Sequence, residues 1–264
     1  MVAQPRVKSA ARVADVLRLL ASETSGMSLA DIVGALDLPR SSTYALLTDM
    51  VASRLVEEDS GAGVRTYRIG IGAFEVGMAF LRQRSLAGEA VAIVERVASR
   101  FDETAHLAVL DNTDVVYVAK AESSHAMRVA SSVGARFPAH ATGVDKVLLA
   151  QLDLAEFVRL YPRQDLPALT PATVPNRERL LAALAEIRRN GYAFDDEEST
   201  PGLQCLAVPV LGPGGAGVAA LSLSVPTIRM AKMNRDQVLV ELIQSGQEIS
   251  RQLGWHESGR LAGA

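Results

Sequence analysis

The chain has 264 residues, long for one domain and comfortable for two, with 48% apolar and 22% charged residues, ordinary values for a globular protein. A net charge of −3 argues against a generic polyanion binder, and the single cysteine, Cys205, excludes an internal disulfide and fits a reducing cytoplasm. No apolar run approaches the ~18 residues that span a bilayer, so no membrane partner is expected. Arg6, Lys8 and Arg12 open the chain without a following apolar stretch of signal-peptide type. Residues 1–84 hold 10 Lys and Arg against 9 Asp and Glu, leaving 17 against 21 for the remainder. The asymmetry is slight, and a small DNA-contacting module needs only a local basic face.

Arg12 to Ala21 reads as a first helix, with Val13, Val16, Leu17 and Leu20 on one stripe. Ser28 has the chemistry of an N-cap for a short second helix carrying Leu29, Ile32, Val33 and Leu36. Asp37-Leu38-Pro39 is a tight connection, and Pro39 suits the first turn of a third helix reaching about Arg54. Leu55-Val56 and Thr66 to Ile69, around the turn Asp59 to Gly63, form a hairpin. This order is the winged helix-turn-helix layout: a helix fits the major groove, its predecessor braces it, and the hairpin reaches flanking phosphate. Arg40, Ser41, Ser42, Thr43 and Tyr44 begin the third helix, and Arg65, Tyr67 and Arg68 lie on the wing, all able to bond phosphate or base edges of a double-stranded operator. Small three-helix units also serve as protein-interaction modules, and hydroxyls at a helix start also act as caps. Gly70 to Arg84 continues as a helix that links the domains, either packed on its copy in a dimer or simply closing the first domain.

The second domain begins near Leu86. Helices are expected over Ala90–Phe101, Thr142–Leu152, Asn176–Asn190 (closed by Gly191) and Met233–Leu253. Strands are expected over Thr104–Leu110, Asp114–Ala119, Met127–Ser131, Cys205–Leu211 and Val218–Val225. Mixed strands, helices and hairpins indicate an α+β domain. The expected organisation is a head over 1–70, a linker helix over 71–85 and a second domain over 86–256.

The residues that resemble catalytic chemistry carry little. The run Asp195-Asp196-Glu197-Glu198 does not of itself place two carboxyls about a substrate, and three of the four are read as solvated loop charges. His106, His125, His140 and His256 show no metal spacing with Cys205. Cys205 opens an apolar strand, where burial is the default. Gly212 to Gly217 formally matches a dinucleotide-binding glycine pattern, but a strand follows it where a helix is required, so it is a hairpin turn. No nucleophile–base set is found, and no enzyme activity, cofactor or metal is expected. Ser222 and Ser224, two apart on a strand, face the same way and need partners, whether a polar ligand, water or backbone.

The order of elements and several stretches resemble the IclR family of bacterial transcriptional regulators. In the first domain the resemblance rests on Ser28 to Ile32 and Leu38 to Leu47. In the second it rests on Gly134 to Gly143, Lys146 to Ala150, Arg188 to Ala193, Asp195 to Glu198, Gly202 to Cys205 and Ala219 to Ser224. It implies a GAF-like C-terminal domain that binds a small effector, commonly an organic acid or aromatic metabolite, and a homodimer or homotetramer that acts on operators, often repressing catabolic genes. By that pattern Gly143, Val144, Asp195, Cys205, Ser222 and Ser224 line the effector pocket, with Ala126 and Met127 opposite. Two positions depart from the family. Ala45 stands where an Arg is frequent on the recognition helix, which shifts weight to Arg40 and the wing. Asp145 stands where Gly is usual. Thr142-x-x-Asp145 then reads as a capping-box variant that competes for helix N–H groups and favours a neutral or amide-like effector, unless Asp145 points to solvent. A rival reading is a constitutive DNA-binding oligomer whose second domain only oligomerises.

Overall fold

The computed structural model describes residues 7–23, 25–59, 64–84, 86 and 88–256. The chain divides into two compact units, Met1–Gln83 and Arg84–Ala264.

In the first unit, α1 (Lys8–Ala21) is followed by β1 (Met27–Ser28), α2 (Leu29–Leu36), α3 (Arg40–Ala52), β2 (Val56–Asp59), β3 (Thr66–Ile69) and α4 (Ile71–Gln83). Ser28 caps α2 reciprocally: its hydroxyl accepts from Asp31 N at 3.2 Å and Asp31 Oδ2 accepts from Ser28 N at 3.1 Å. That satisfies two donors the helix itself cannot. Asp37 ends α2 in the left-handed region (φ 49°) and Pro39 stands at the N-cap of α3, so the turn between the helices is short and stiff. Val16, Leu20, Ile32, Leu47, Met50, Val56 and Tyr67 form the core. Thus α1, α2, α3 and the hairpin share one centre, and Tyr67, read as a wing residue, is a core residue at 1% exposure. The strands pair in the order β1-β3-β2. The expected turn at Asp59–Gly63 is only partly visible: Asp59 ends β2, and Ser60 to Gly63 fall outside the described residues.

The second unit comprises α5 (Glu89–Phe101), β4 (Thr104–Asp111), β5 (Asp114–Ala121), β6 (Arg136–Pro138), α6 (Gly143–Leu149), α7 (Leu154–Leu160), α8 (Arg177–Asn190), β7 (Ala193–Asp196), β8 (Leu203–Leu211), β9 (Gly217–Pro226), α9 (Thr227–Met230) and α10 (Arg235–Gln252). Its strands form one antiparallel sheet in the order β6-β5-β4-β9-β8-β7. Helices α5 and α10 contact β4, β5, β8 and β9, while α6, itself packed on α8, contacts β4, β7, β8 and β9. The glycine-rich segment joins β8 to β9, as the hairpin reading requires.

Three expectations change. Met127–Ser131 is not a strand: residues 122–135 form an irregular strap, and the pairing on β5 is taken by Arg136–Pro138. Two carbonyls in this stretch are held by side chains, Met127 O by Arg229 Nη1 at 3.0 Å and Ser131 O by Lys120 Nζ at 2.5 Å. The acidic run is not mostly solvated. Asp195 and Glu198 are both buried, and Glu198 forms an ion pair with buried Lys146. Finally, Thr142 occupies the N-cap of α6 without a side-chain cap, and Asp145 neither caps nor meets solvent. All of α6 is buried, so its carboxyl is enclosed whichever way it turns.

Candidate nucleic-acid interface and ligand cavity

Helix α3 buries Thr43, Leu47 and Met50 and turns Ser41, Tyr44, Ala45 and Thr48 outward. Spacings of three and four residues place these four on one exposed stripe. Arg40 and Ser42 are also exposed at the helix start, and Arg40 has no acidic partner among the described residues. Thr43 does not belong to this face: it is 1% exposed and its hydroxyl donates to Pro39 O at 3.1 Å. On the wing, Arg65 Nε pairs with Glu58 Oε1 at 3.0 Å and Arg68 Nη2 with Asp59 Oδ2 at 2.6 Å. Such exposed pairs hold little free energy, but they compensate the positive charge that the sequence alone assigned to the wing.

In the second unit, strand register explains how distant residues converge. Directly opposed residues in antiparallel strands face the same side. Thr104, Ser224, Cys205 and Asp195 therefore form one row across β4, β9, β8 and β7. Lys120, His106, Ser222, Ala207 and Ala193 form the next row. Gly143 begins α6 against the first row, and a Cβ there would stand 3.3 Å from Asp195 Cβ and 3.4 Å from Cys205 O. The small residue lets the helix start close to the sheet.

A small cavity opens here. Val144, Asp195, Cys205 and Ser224 line it. Gly143 lies behind Asp195, and Ser222 sits one row deeper, 1% exposed, with a hydroxyl that finds no hydrogen-bond partner among the described residues. Ala126 and Met127 are exposed and do not line the cavity, and the strap instead contributes Val129, Ala130 and Ser131. Tyr117, Phe137, Thr142, Ser199, Thr200 and Leu203 complete the wall. Tyr117 and Phe137 belong to adjacent strands, with ring centroids 5.2 Å apart. Inward alternation could have suggested Tyr117, whereas Ser131, Ser199 and Thr200 sit in irregular segments that give no periodic signal.

The electrostatics of the wall are unusual for a polar site. Burial lifts the Asp195 carboxyl to about 6, against the N–H of Glu198, which donates to Oδ1 at 2.8 Å, and the nearby charge of Lys146. Burial pushes the Cys205 thiol up to about 12, and the neighbouring Asp195 charge adds to it, so the thiol is a neutral group at physiological pH. His106, stacked on Tyr117 at 4.2 Å and bonded through Nε2 to Ser131 Oγ at 2.8 Å, is lowered to about 3 by burial, with Lys120 adding to the effect. It too is neutral. Asp145 is held well above the carboxylate range by burial. The wall thus presents hydroxyls, a neutral thiol and the Asp195 carboxyl around a small space, which suits recognition of a small polar molecule.

The IclR helix-turn-helix domain matches residues 9–60 and the C-terminal domain of bacterial IclR transcriptional regulators matches residues 78–251. This chain belongs to the IclR family. It is 34% identical to the HTH-type transcriptional regulator XynR of Escherichia coli (strain K12), over 95% of this chain and 99% of XynR. It is 32% identical to the transcriptional repressor IclR of the same organism, over 94% of this chain and 91% of that protein. Among solved structures, an IclR homologue from Microbacterium hydrocarbonoxydans complexed with 4-hydroxybenzoate superposes with a TM-score of 0.81 at 26% identity, covering 93% of this chain and 99% of that one. The IclR-family chain is therefore a DNA-binding transcriptional regulator with an effector-binding C-terminal domain, and not an enzyme. Among the described residues no helix is long and apolar enough to cross a membrane.

Proposed function

We propose that this regulator is a cytoplasmic repressor of catabolic genes that binds its operator through α3 and is controlled by a small organic acid or aromatic metabolite in the cavity beneath α6. The observation that carries the reading is the cavity itself: the buried Asp195, Cys205 and Ser224 come from three strands to one enclosed wall, and such convergence is what a specific ligand site requires. Arg40, Ser41, Ser42 and Tyr44 supply phosphate and base-edge contacts from the exposed start of α3, and Arg65 and Arg68 contribute after exchanging their carboxylate partners for phosphate. Copies of the chain associate as a homodimer or homotetramer, supported by the exposed Phe74 and Val76 on α4, which are 60% and 67% accessible. Two heads must stand ~34 Å apart, or a multiple of it, to enter successive major grooves. The effector acts by binding the DNA-competent and DNA-incompetent arrangements with different affinity.

The test is a titration of the purified protein against its own upstream region and against unrelated DNA at fixed salt. Arg40→Ala should cost about 1–3 kcal/mol of operator affinity if Arg40 reads a base, and should lower the salt slope by about 1 if it meets a phosphate. Equal, weak binding to both DNAs, unaffected by Arg40→Ala, would remove the operator-binding face from α3.

A further inference from the structure

The cavity holds no compensating positive charge. Among the described residues no Lys, Arg or His borders it. The charged and titratable groups around Asp195 come from every element packed on it. From α6 come Asp145 and Lys146, from the turn after β7 Glu198, from β8 Cys205, and from β5 Tyr117. Lys146, the only cation in that set, is committed to Glu198 in a buried pair whose side chains are 4% and 11% exposed. Asp145 is fully buried, and neither of its oxygens has a hydrogen-bond partner among the described residues. Thr142 Oγ1, on the cavity wall, has none either. One Asp195 oxygen already accepts from Glu198 N. A carboxylate ligand placed here would bring a second buried negative charge against Asp195 with nothing to neutralise it, and two like charges at hydrogen-bond distance do not both persist in a dry site.

On the reading of this cavity as the effector site, we propose that an organic acid enters it only together with one proton taken from solvent, which Asp195 holds and shares with the ligand carboxylate. Asp195 is then the residue that decides between acids and uncharged analogues. Above the Asp195 pKa the protein favours a neutral amide, and below it the acid. The protonated Asp195 carboxyl donates to the ligand oxygen, while Thr142 and Ser224 supply hydroxyls. The midpoint of the change is set by burial of Asp195, at about 6. Since only the protonated form accepts the acid, its fraction falls from about one half at pH 6 to about one in a hundred at pH 8. Acid affinity should fall about fiftyfold over that interval.

Calorimetry on the full chain tests this with lactate and 4-hydroxybenzoate and their amides, lactamide and 4-hydroxybenzamide, at pH 6 and pH 8. The expected result is that at least one acid binds, about fiftyfold more tightly at pH 6, and that the affinity of its amide does not change. Heats for that acid measured at pH 7.5 in phosphate and in Tris should differ by the uptake of about one proton, a readout that needs no variant. Asp195→Asn should make acid binding independent of pH and as tight at pH 8 as the natural chain at pH 6. An acid that binds equally at both pH values without proton uptake overturns the inference and leaves the cavity as the effector site. An amide that binds when neither acid binds at pH 6 or at pH 8 has the same meaning. If none of the four binds at either pH, the effector reading of the cavity falls together with the inference.

Discussion

Two hydroxyl-rich surfaces of this chain serve opposite ends. On α3, Ser41, Tyr44 and Thr48 stand in water. Beneath α6, Thr142, Ser222 and Ser224 are 5%, 1% and 5% exposed. An exposed hydroxyl exchanges one water for one phosphate or base contact and gains little from each, so recognition through such groups needs several contacts. A buried hydroxyl without a partner has lost its water already, and a ligand atom that reaches it restores a whole hydrogen bond. The difference separates the weak, additive contribution of an exposed hydroxyl from the sharp discrimination a buried one can give.

The contrast can be broken from either side. The largest effect is expected from Leu47→Ala in the core of the first unit, where Leu47 is fully buried. It should cost ~2–5 kcal/mol, lower a distinct calorimetric transition of that unit and abolish operator binding while ligand heats persist. A single transition that shifts as a whole would show that the units do not unfold separately. Next in size is Gly143→Val. Even a single Cβ there meets Asp195 Cβ at 3.3 Å, and overpacking at ~1–3 kcal/mol should lower ligand affinity about tenfold or more. Gel shifts without ligand should be unchanged, and a matching loss of operator binding would mean the helix start supports more than the cavity. The smallest is Glu58→Gln, which frees Arg65 from its 3.0 Å pair. Operator affinity should rise about two- to threefold at low salt and the gain should vanish at high salt, and a gain insensitive to salt would point to a rearranged wing.

The head is largely legible in the amino-acid sequence. Its signals are local: Ser28 with Asp31 three residues on, Pro39 before a helix, and apolar positions at helical spacing. What the sequence hides there is direction, since Thr43 and Tyr67 look as able to reach DNA as their neighbours but point inward. In the second unit the strands β4, β5, β8 and β9 are readable from alternation, but the cavity depends on which strands lie side by side. Asp195, Cys205, Ser224 and Thr104 become one row only once β7-β8-β9-β4 is fixed. The alternating Met127 to Ser131 stretch resembles a strand, yet Arg229, 102 residues away from Met127, takes its carbonyl. Asp145 illustrates the same limit: Thr142-x-x-Asp145 has the pattern of a cap, and only the burial of α6 on every side turns it into an enclosed carboxyl raised well above its ordinary range.

The outermost strands of the second unit carry a consequence for how the chain behaves in a crowded cell. β6 has 3 residues and β7 has 4, against 8 to 10 for the four strands between them. Arg136 on β6 is tied to Asp111 and Asp114, and Asp196 on β7 is engaged by the Gln204 amide. A foreign strand that approaches β6 or β7 meets a short edge beside charges that must first be displaced. Where they pair, these short strands cover the ends of β5 and β8 nearest the cavity residues, and the sheet closes there on short, charge-bearing segments rather than on a long apolar edge.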